Sequence, residues 1–112
     1  MKIYHNPRCA KSRQTLSIIR EAGQDPEIVE YLKTPLTEEE LTDVYEKLNL
    51  PIDYLIRKGE DIFKTEYKDK QLSDEEWIKV LVTHPSMLER PIVVNDEKAV
   101  LGRPPENVNQ LL

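Results

Sequence analysis

Cysteine is almost absent from this chain: one residue, Cys9, in 112. No intramolecular disulfide framework can form, and nothing resembles a zinc site, so no metal is expected. An unpaired thiol fits a reducing cytoplasm better than a secretory route. No apolar run approaches the ~20 residues of a membrane span, so no membrane partner is expected. The N-terminus lacks the charged, then apolar, then small-residue layout of a signal peptide, so no leader is expected. Positive charge is in deficit as well: a net charge of -5 speaks against general affinity for nucleic acid or anionic membranes. There is no repeat, low-complexity tract or obvious linker. At this length the chain is expected to be one domain, residues 1–112, able to bury roughly two thirds of its chain surface.

What is present reads as a mixed α/β chain. "KIY" (residues 2–4) predicts a first strand, ended by Asn6-Pro7, because Pro7 pushes Asn6 out of the helical region. A helix is predicted to start between Cys9 and Lys11, with Leu16, Ile18, Ile19 and Ala22 on its apolar face and Gly23 as its stop. "EIVEYL" (27–32) reads as a second strand. Thr37 with Glu40, and Ser73 with Glu76, are capping boxes. The first opens a helix with Leu41, Val44, Tyr45 and Leu48 on one face; the second opens one with Trp77, Val80 and Leu81 inward. "PIDYLIRKG" predicts a short helix stopped at Gly59, and residues 61–72 give no clear pattern. "RPIVVNDEKAVLG" reads as a β-hairpin. "RPPENVNQLL" then shows Val108, Leu111 and Leu112 at helical spacing after two prolines that a first turn tolerates. The order is β-α-β, a helical block, then β-β-α, which suggests a mixed sheet built from both ends with the middle inserted.

Cys9 stands at the predicted mouth of the first helix, four residues after His5. An ordinary thiol has a pKa of about 8.5, and only the thiolate is a good nucleophile. Helix N-terminal amides favour the thiolate and also cradle an oxyanion. Arg8, Arg13 and a folded-back His5 would add positive charge. A lone cysteine is more often a small buried hydrophobe, but Cys9 sits among Asn, Pro, Arg and Lys, away from any apolar stripe. A C-x5-R phosphatase loop would need Arg where Thr15 stands, and a C-x-x-C dithiol would need Cys where Ser12 stands. Arg57, Arg90 and Arg103 lie at element boundaries beside apolar or Gly/Pro sequence. A surface arginine is usually just solvated, but guanidinium forks bind oxyanions bidentately, and three such residues raise the prospect of a shared anion site. Arg90-Pro91 is a candidate cis peptide.

"IYHNPRCAKSRQTL", "HPSMLERPIVV" and "LGRPPENV" together resemble the arsenate reductase family that couples to glutathione and glutaredoxin, the ArsC/Spx-type branch of the thioredoxin-like fold. The resemblance covers essentially the whole chain. It implies a thioredoxin-like mixed sheet with flanking helices and an inserted helical lobe at roughly residues 34–86. By position, Cys9 matches the nucleophile that attacks arsenic, and His5 the residue that helps keep it ionised. Arg57, Arg90 and Arg103 match the oxyanion-binding arginines, and Pro91 matches the family's cis-proline. Asn6, Ser12 and Arg13 complete the active-site loop with Pro91. The implied partners are arsenate or a similar oxyanion, glutathione as co-substrate, and glutaredoxin. No tightly bound cofactor is implied, and a cytoplasmic monomer is expected. Two alternatives stay open: a glutathione-dependent thiol reductase with another substrate, and a Spx-like protein-binding regulator. Ser12 speaks against the C-x-x-C switch common in the latter.

Overall fold

β1 (Lys2–Tyr4) and β2 (Glu27–Val29) are joined through α1 (Ala10–Glu21), a crossover that sets them parallel with Ile3 opposite Ile28. β3 (Ile92–Val94) and β4 (Ala99–Leu101) form the expected hairpin. Asn95 turns it: its Oδ1 accepts the N–H groups of Glu97 at 3.0 Å and Lys98 at 2.8 Å. β3 lies antiparallel against β1, giving the strand order β2-β1-β3-β4. The computed structural model describes all of residues 1–112.

Strand alternation sorts the core into two layers. Ile3 and Val93 point to one face, where they meet Leu16 and Ile19 of α1 and Val108 of the final helix. Tyr4, Ile92 and Ala99 point to the other, where α2 (Glu38–Leu48) and α3 (Asp74–Thr83) cover them. Each fully buried aliphatic side chain contributes about 1.5–3 kcal/mol relative to exposure. Helices on both faces of one mixed sheet, in the order β-α-β then β-β-α, make the fold thioredoxin-like.

Both capping boxes form. Thr37 Oγ1 accepts from Glu40 N–H at 3.1 Å, and Ser73 Oγ accepts from Glu76 N–H at 3.2 Å, with each Glu reaching back to its N-cap amide. Such a cap is worth about 1 kcal/mol. Gly23 ends α1 with φ +84, a conformation that favours glycine.

Several expectations need correction. The inward stripe of α1 is Ser12, Thr15, Leu16 and Ile19; Ile18 is only half-buried and Ala22 is exposed. The helix therefore turns a small polar pair, not more apolar surface, toward its partner elements at the N-terminal end. In α3 the buried trio is Trp77, Ile78 and Leu81, with Val80 half-buried, as is Tyr45 in α2. β2 ends at Val29, because the Glu30 carbonyl accepts the N–H groups of Lys33 at 2.9 Å and Thr34 at 3.0 Å and so folds the chain into a turn. The helix expected up to Gly59 is a 3-10 turn, Ile52–Leu55. Ile56 is already extended and pairs antiparallel with Leu88. Residues 61–67 form a helical segment that widens to π geometry over Phe63–Tyr67, seating Phe63 against Trp77 at 6.3 Å between ring centroids. The last helix, Pro105–Leu111, is 3-10 in geometry.

Candidate active site around Cys9

The sheet register brings four chain segments to one edge. Tyr4 lies opposite Val29 and Ile92, and Ile92 lies opposite Leu101. The loop of residues 5–9 leaving β1, the turn after β2, Arg90 and Pro91 entering β3, and Gly102 and Arg103 leaving β4 therefore meet there. Crevices at the carboxyl ends of parallel strands are the usual ligand positions in such sheets.

Cys9 is the N-cap of α1, extended at φ -93, ψ 122, and half-buried. Its N–H donates to the Asn6 carbonyl at 3.0 Å, and Asn6 Oδ1 accepts from Arg8 N–H at 3.1 Å, so Asn6 shapes the turn from both sides. Arg13 Nη1 donates to the Pro7 carbonyl at 2.9 Å, tying the helix back onto the loop. Burial pushes the Cys9 thiol up, but the Ser12 N–H, the Arg90 guanidinium and the Lys11 N–H outweigh it and hold the thiol below its ordinary value. The helix-mouth amides expected from sequence thus act on the sulfur.

His5 does not bond to the sulfur. Its Nδ1 lies 2.6 Å from the hydroxyl of Ser12, which is fully buried and also accepts from Asn6 N–H at 3.1 Å. One lone pair of the Ser12 oxygen takes the Asn6 amide, and the hydroxyl pairs with Nδ1 as donor or acceptor according to the imidazole tautomer. Burial lowers the His5 pKa; Glu30 opposes this, while Arg20 and Arg13 reinforce it. His5 therefore acts on the loop through Ser12, whose amide faces the thiol.

The three arginines are placed unequally. Arg103 Nη1 lies 3.9 Å from Cys9 Sγ and donates to the Arg90 carbonyl at 3.1 Å. Arg90 puts its guanidinium beside the same sulfur. Arg57 sits one step away: Glu60 Oε1 spans Arg57 Nε at 3.5 Å and Arg90 Nη1 at 3.8 Å, and Glu89 Oε1 lies 3.6 Å from Arg57 Nη1. The short antiparallel pairing at Ile56 and Leu88, with Arg57 N–H on the Met87 carbonyl at 2.8 Å, fixes where Arg57 enters. Sequence reading missed Glu60 and Glu89, although each stands within three positions of a singled-out arginine.

The peptide bond Arg90-Pro91 is cis, and so is Arg103-Pro104, which the sequence did not suggest. Pro91 is buried under Gly102, whose N–H donates to the Pro91 carbonyl at 2.9 Å. A cavity of about 540 Å³ near Lys2, Glu27, Glu40 and Asp43 shares no residue with the thiol loop. A groove of about 290 Å³, lined by Leu48, Leu50, Tyr54, Leu101 and Arg103, likewise holds no loop residue and touches the site only through Arg103. No group of three or more His, Cys, Asp or Glu is placed to hold a metal ion, and no helix is long and apolar enough to cross a membrane.

Comparison with known proteins matches residues 4–111 to the model of the ArsC family. The uncharacterized protein YfgD of Escherichia coli (strain K12) is 45% identical, covering 100% of this chain and 96% of its own. An arsenate reductase of Neisseria meningitidis (strain MC58) is 41% identical, covering 100% and 97%. The solved structure of the arsenate reductase from Vibrio cholerae superposes with a TM-score of 0.93 at 41% identity, covering 99% and 96%.

Proposed function

The chain belongs to the ArsC family, and from that premise we propose that it is an arsenate reductase in which Cys9 is the nucleophile and the second thiol comes from outside. The observation that carries this reading is the sole cysteine held at a helix mouth, its thiol favoured as thiolate, with Arg90 and Arg103 beside it. The Cys9 thiolate attacks arsenic(V), an As–S bond forms, and one oxygen leaves as water after protonation. Arg57, Arg90 and Arg103 neutralise charge on the remaining oxygens. Glutathione then attacks the Cys9 sulfur. The As–S bond breaks, its electron pair stays on arsenic, and arsenite leaves as arsenic(III). The two thiols are oxidised to one mixed disulfide, which balances the two electrons gained by arsenic. Glutaredoxin removes the glutathione and returns the thiolate.

Two features support the external thiol. The Ser12 hydroxyl is engaged by His5 and Asn6, so it has no freedom to serve at the sulfur. The chain holds no second cysteine that could serve in its place. Regeneration by glutathione suits a single domain working as a monomer in the reducing cytoplasm. His5, Asn6, Ser12, Arg13 and Pro91 shape the loop in this reading, and no bound cofactor takes part.

The test is reduction of arsenate with glutathione and glutaredoxin. Turnover lost in Cys9→Ser supports the reading. Thiol reduction of other disulfides without arsenate turnover would leave the general glutathione-dependent reductase. A Cys9→Ser protein that still retains a protein partner, from a chain that lacks arsenate turnover, would leave the Spx-like regulator.

A further inference from the structure

Tyr31 brings a buried polar group to the thiol edge that the scheme above does not use. The residue is 0% exposed, in the core between the sheet and the α2–α3 layer. It stands two residues after β2, in the turn closed on the Glu30 carbonyl, at the end of the sheet where His5 leaves β1. Its hydroxyl has no protein partner. Two other buried side-chain polar atoms lack a well-aligned hydrogen bond, Arg90 Nε and Arg57 Nε, the latter 3.5 Å from Glu60 Oε1.

These orphans belong together. The groups that act electrostatically on the Tyr31 hydroxyl are Arg90, Arg57 and Cys9. Arg90 stands beside the hydroxyl without completing a hydrogen bond to it. Buried polar groups are nearly always paired, and an unpaired one costs stability that a phenylalanine at the same place would not. Two unpaired donors at the thiol edge, the Tyr31 hydroxyl and Arg90 Nε, therefore point to a common acceptor. Burial holds the phenol protonated by pushing its pKa up to about 12, so it donates across the whole working range.

Resting on the oxyanion reading of this site, we propose that the Tyr31 hydroxyl is a fourth binding group for the tetrahedral anion, donating to one of its oxygens alongside Arg57, Arg90 and Arg103. A guanidinium offers donors whose charge is indifferent to which anion arrives. A neutral hydroxyl fixed by a buried ring adds direction, and selects for an oxygen at one place.

The experiment compares the parent chain, Tyr31→Phe and Arg90→Ala. Arsenate without glutathione is titrated as a protectant of Cys9 against iodoacetamide, and the thermal midpoint of each protein is measured. Tyr31→Phe should keep or raise the midpoint, because it loses no intramolecular hydrogen bond. It should need roughly tenfold more arsenate for half-protection, the effect of one hydrogen bond to a charged group. In the coupled assay KM should rise by a similar factor with kcat less changed. Half-protection at the parent's arsenate concentration overturns the proposal while leaving the oxyanion site standing. A lowered thermal midpoint overturns it too, since the hydroxyl then has a structural partner. If arsenate fails to protect even the parent chain, or protects Arg90→Ala as well as the parent, the oxyanion reading itself falls and takes the proposal with it.

Discussion

Arg103 Nη1 lies 3.9 Å from Cys9 Sγ although 94 positions separate the two residues. The contact exists because β1 and β4 end at the same edge of the sheet, with β3 between them. It makes the thiol environment a tertiary property. The helix mouth supplies the Ser12 and Lys11 amides from nearby in sequence, while Arg90 and Arg103 arrive from the far end of the chain.

The first prediction follows from that division. Alkylation of Cys9 by iodoacetamide, followed against pH, should show its midpoint below the ordinary thiol value of about 8.5. Arg90→Ala should raise the midpoint, since Arg90 favours the thiolate both by hydrogen bonding and by charge. Circular dichroism should stay unchanged, because the half-buried Arg90 is not a core residue. An unchanged midpoint in Arg90→Ala would leave the activation to the helix amides and Arg103.

The second concerns Gly102. A Cβ built there would lie 2.5 Å from Thr15 Oγ1 and 2.7 Å from Pro91 Cγ, both closer than real Cβ contacts come. Thr15 is fully buried and hydrogen-bonded to the Lys11 carbonyl at 2.8 Å, so it cannot swing aside freely. Gly102→Ala should destabilise by about 1–3 kcal/mol, as overpacking does. For a domain of this size that lowers the thermal midpoint by roughly 4–8 °C per kcal/mol. The adjoining Arg103 should shift with it, so arsenate KM should rise. A midpoint equal to the parent's would show that the neighbours yield cheaply.

How much of this was legible beforehand divides along the same line. β1, the hairpin, both capping boxes and the position of Cys9 at the start of α1 are written in local sequence, because each depends on residues within a few positions of one another. The end of β2 was not, because "EIVEYL" carries strand-favouring Ile, Val and Tyr to nearly its last residue, and only the turn hydrogen bonds at Glu30 divert it. That error hid Tyr31, whose importance depends on where the turn points it. The convergence of Arg90 and Arg103 on Cys9, and the bridging of Arg57 to Arg90 by Glu60, are set by sheet order and by one isolated pairing at Ile56 and Leu88. No periodicity encodes those. His5 was legible as a site candidate but not in its manner of action, since a histidine four residues before a cysteine reads as a charge donor until Ser12 is seen between them.

The third prediction tests that manner of action. His5 is held below the ordinary histidine value mainly by burial, so between the lowered folded pKa and about 6.5 the unfolded chain binds a proton that the folded chain does not. The contribution of His5 to stability is therefore fully present above about pH 6.5 and is lost as pH falls through the folded pKa. An NMR titration of the imidazole should give a midpoint below 6.5. Denaturant midpoints measured from neutral pH downward should fall more steeply for the parent than for His5→Gln. A His5 midpoint above 6.5 would mean that the ring is a cation paired to the site.

The last prediction follows from Ser12. A C-x-x-C enzyme resolves its own adduct because the second thiolate is held nearby. Here that position carries a hydroxyl, fully buried and hydrogen-bonded to His5 at 2.6 Å, and the chain has no other cysteine. A serine hydroxyl is far too weak an acid to act as a thiolate near neutral pH. The protein alone should form at most one adduct per chain and stop. With arsenate and glutathione but no glutaredoxin, intact-mass spectrometry should show one glutathione-sized increment, absent in Cys9→Ser. Adding glutaredoxin should remove the increment and restore turnover. Ser12→Cys is the informative counterpart: the new thiol would lie within the loop, yet it would also take away the oxygen that joins His5 to the Asn6 amide. Its arsenate turnover with glutathione should fall below the parent's, because the loop loses its support even as it gains a second thiol. Sustained turnover of the parent with a purely non-thiol reductant would defeat the monothiol mechanism outright.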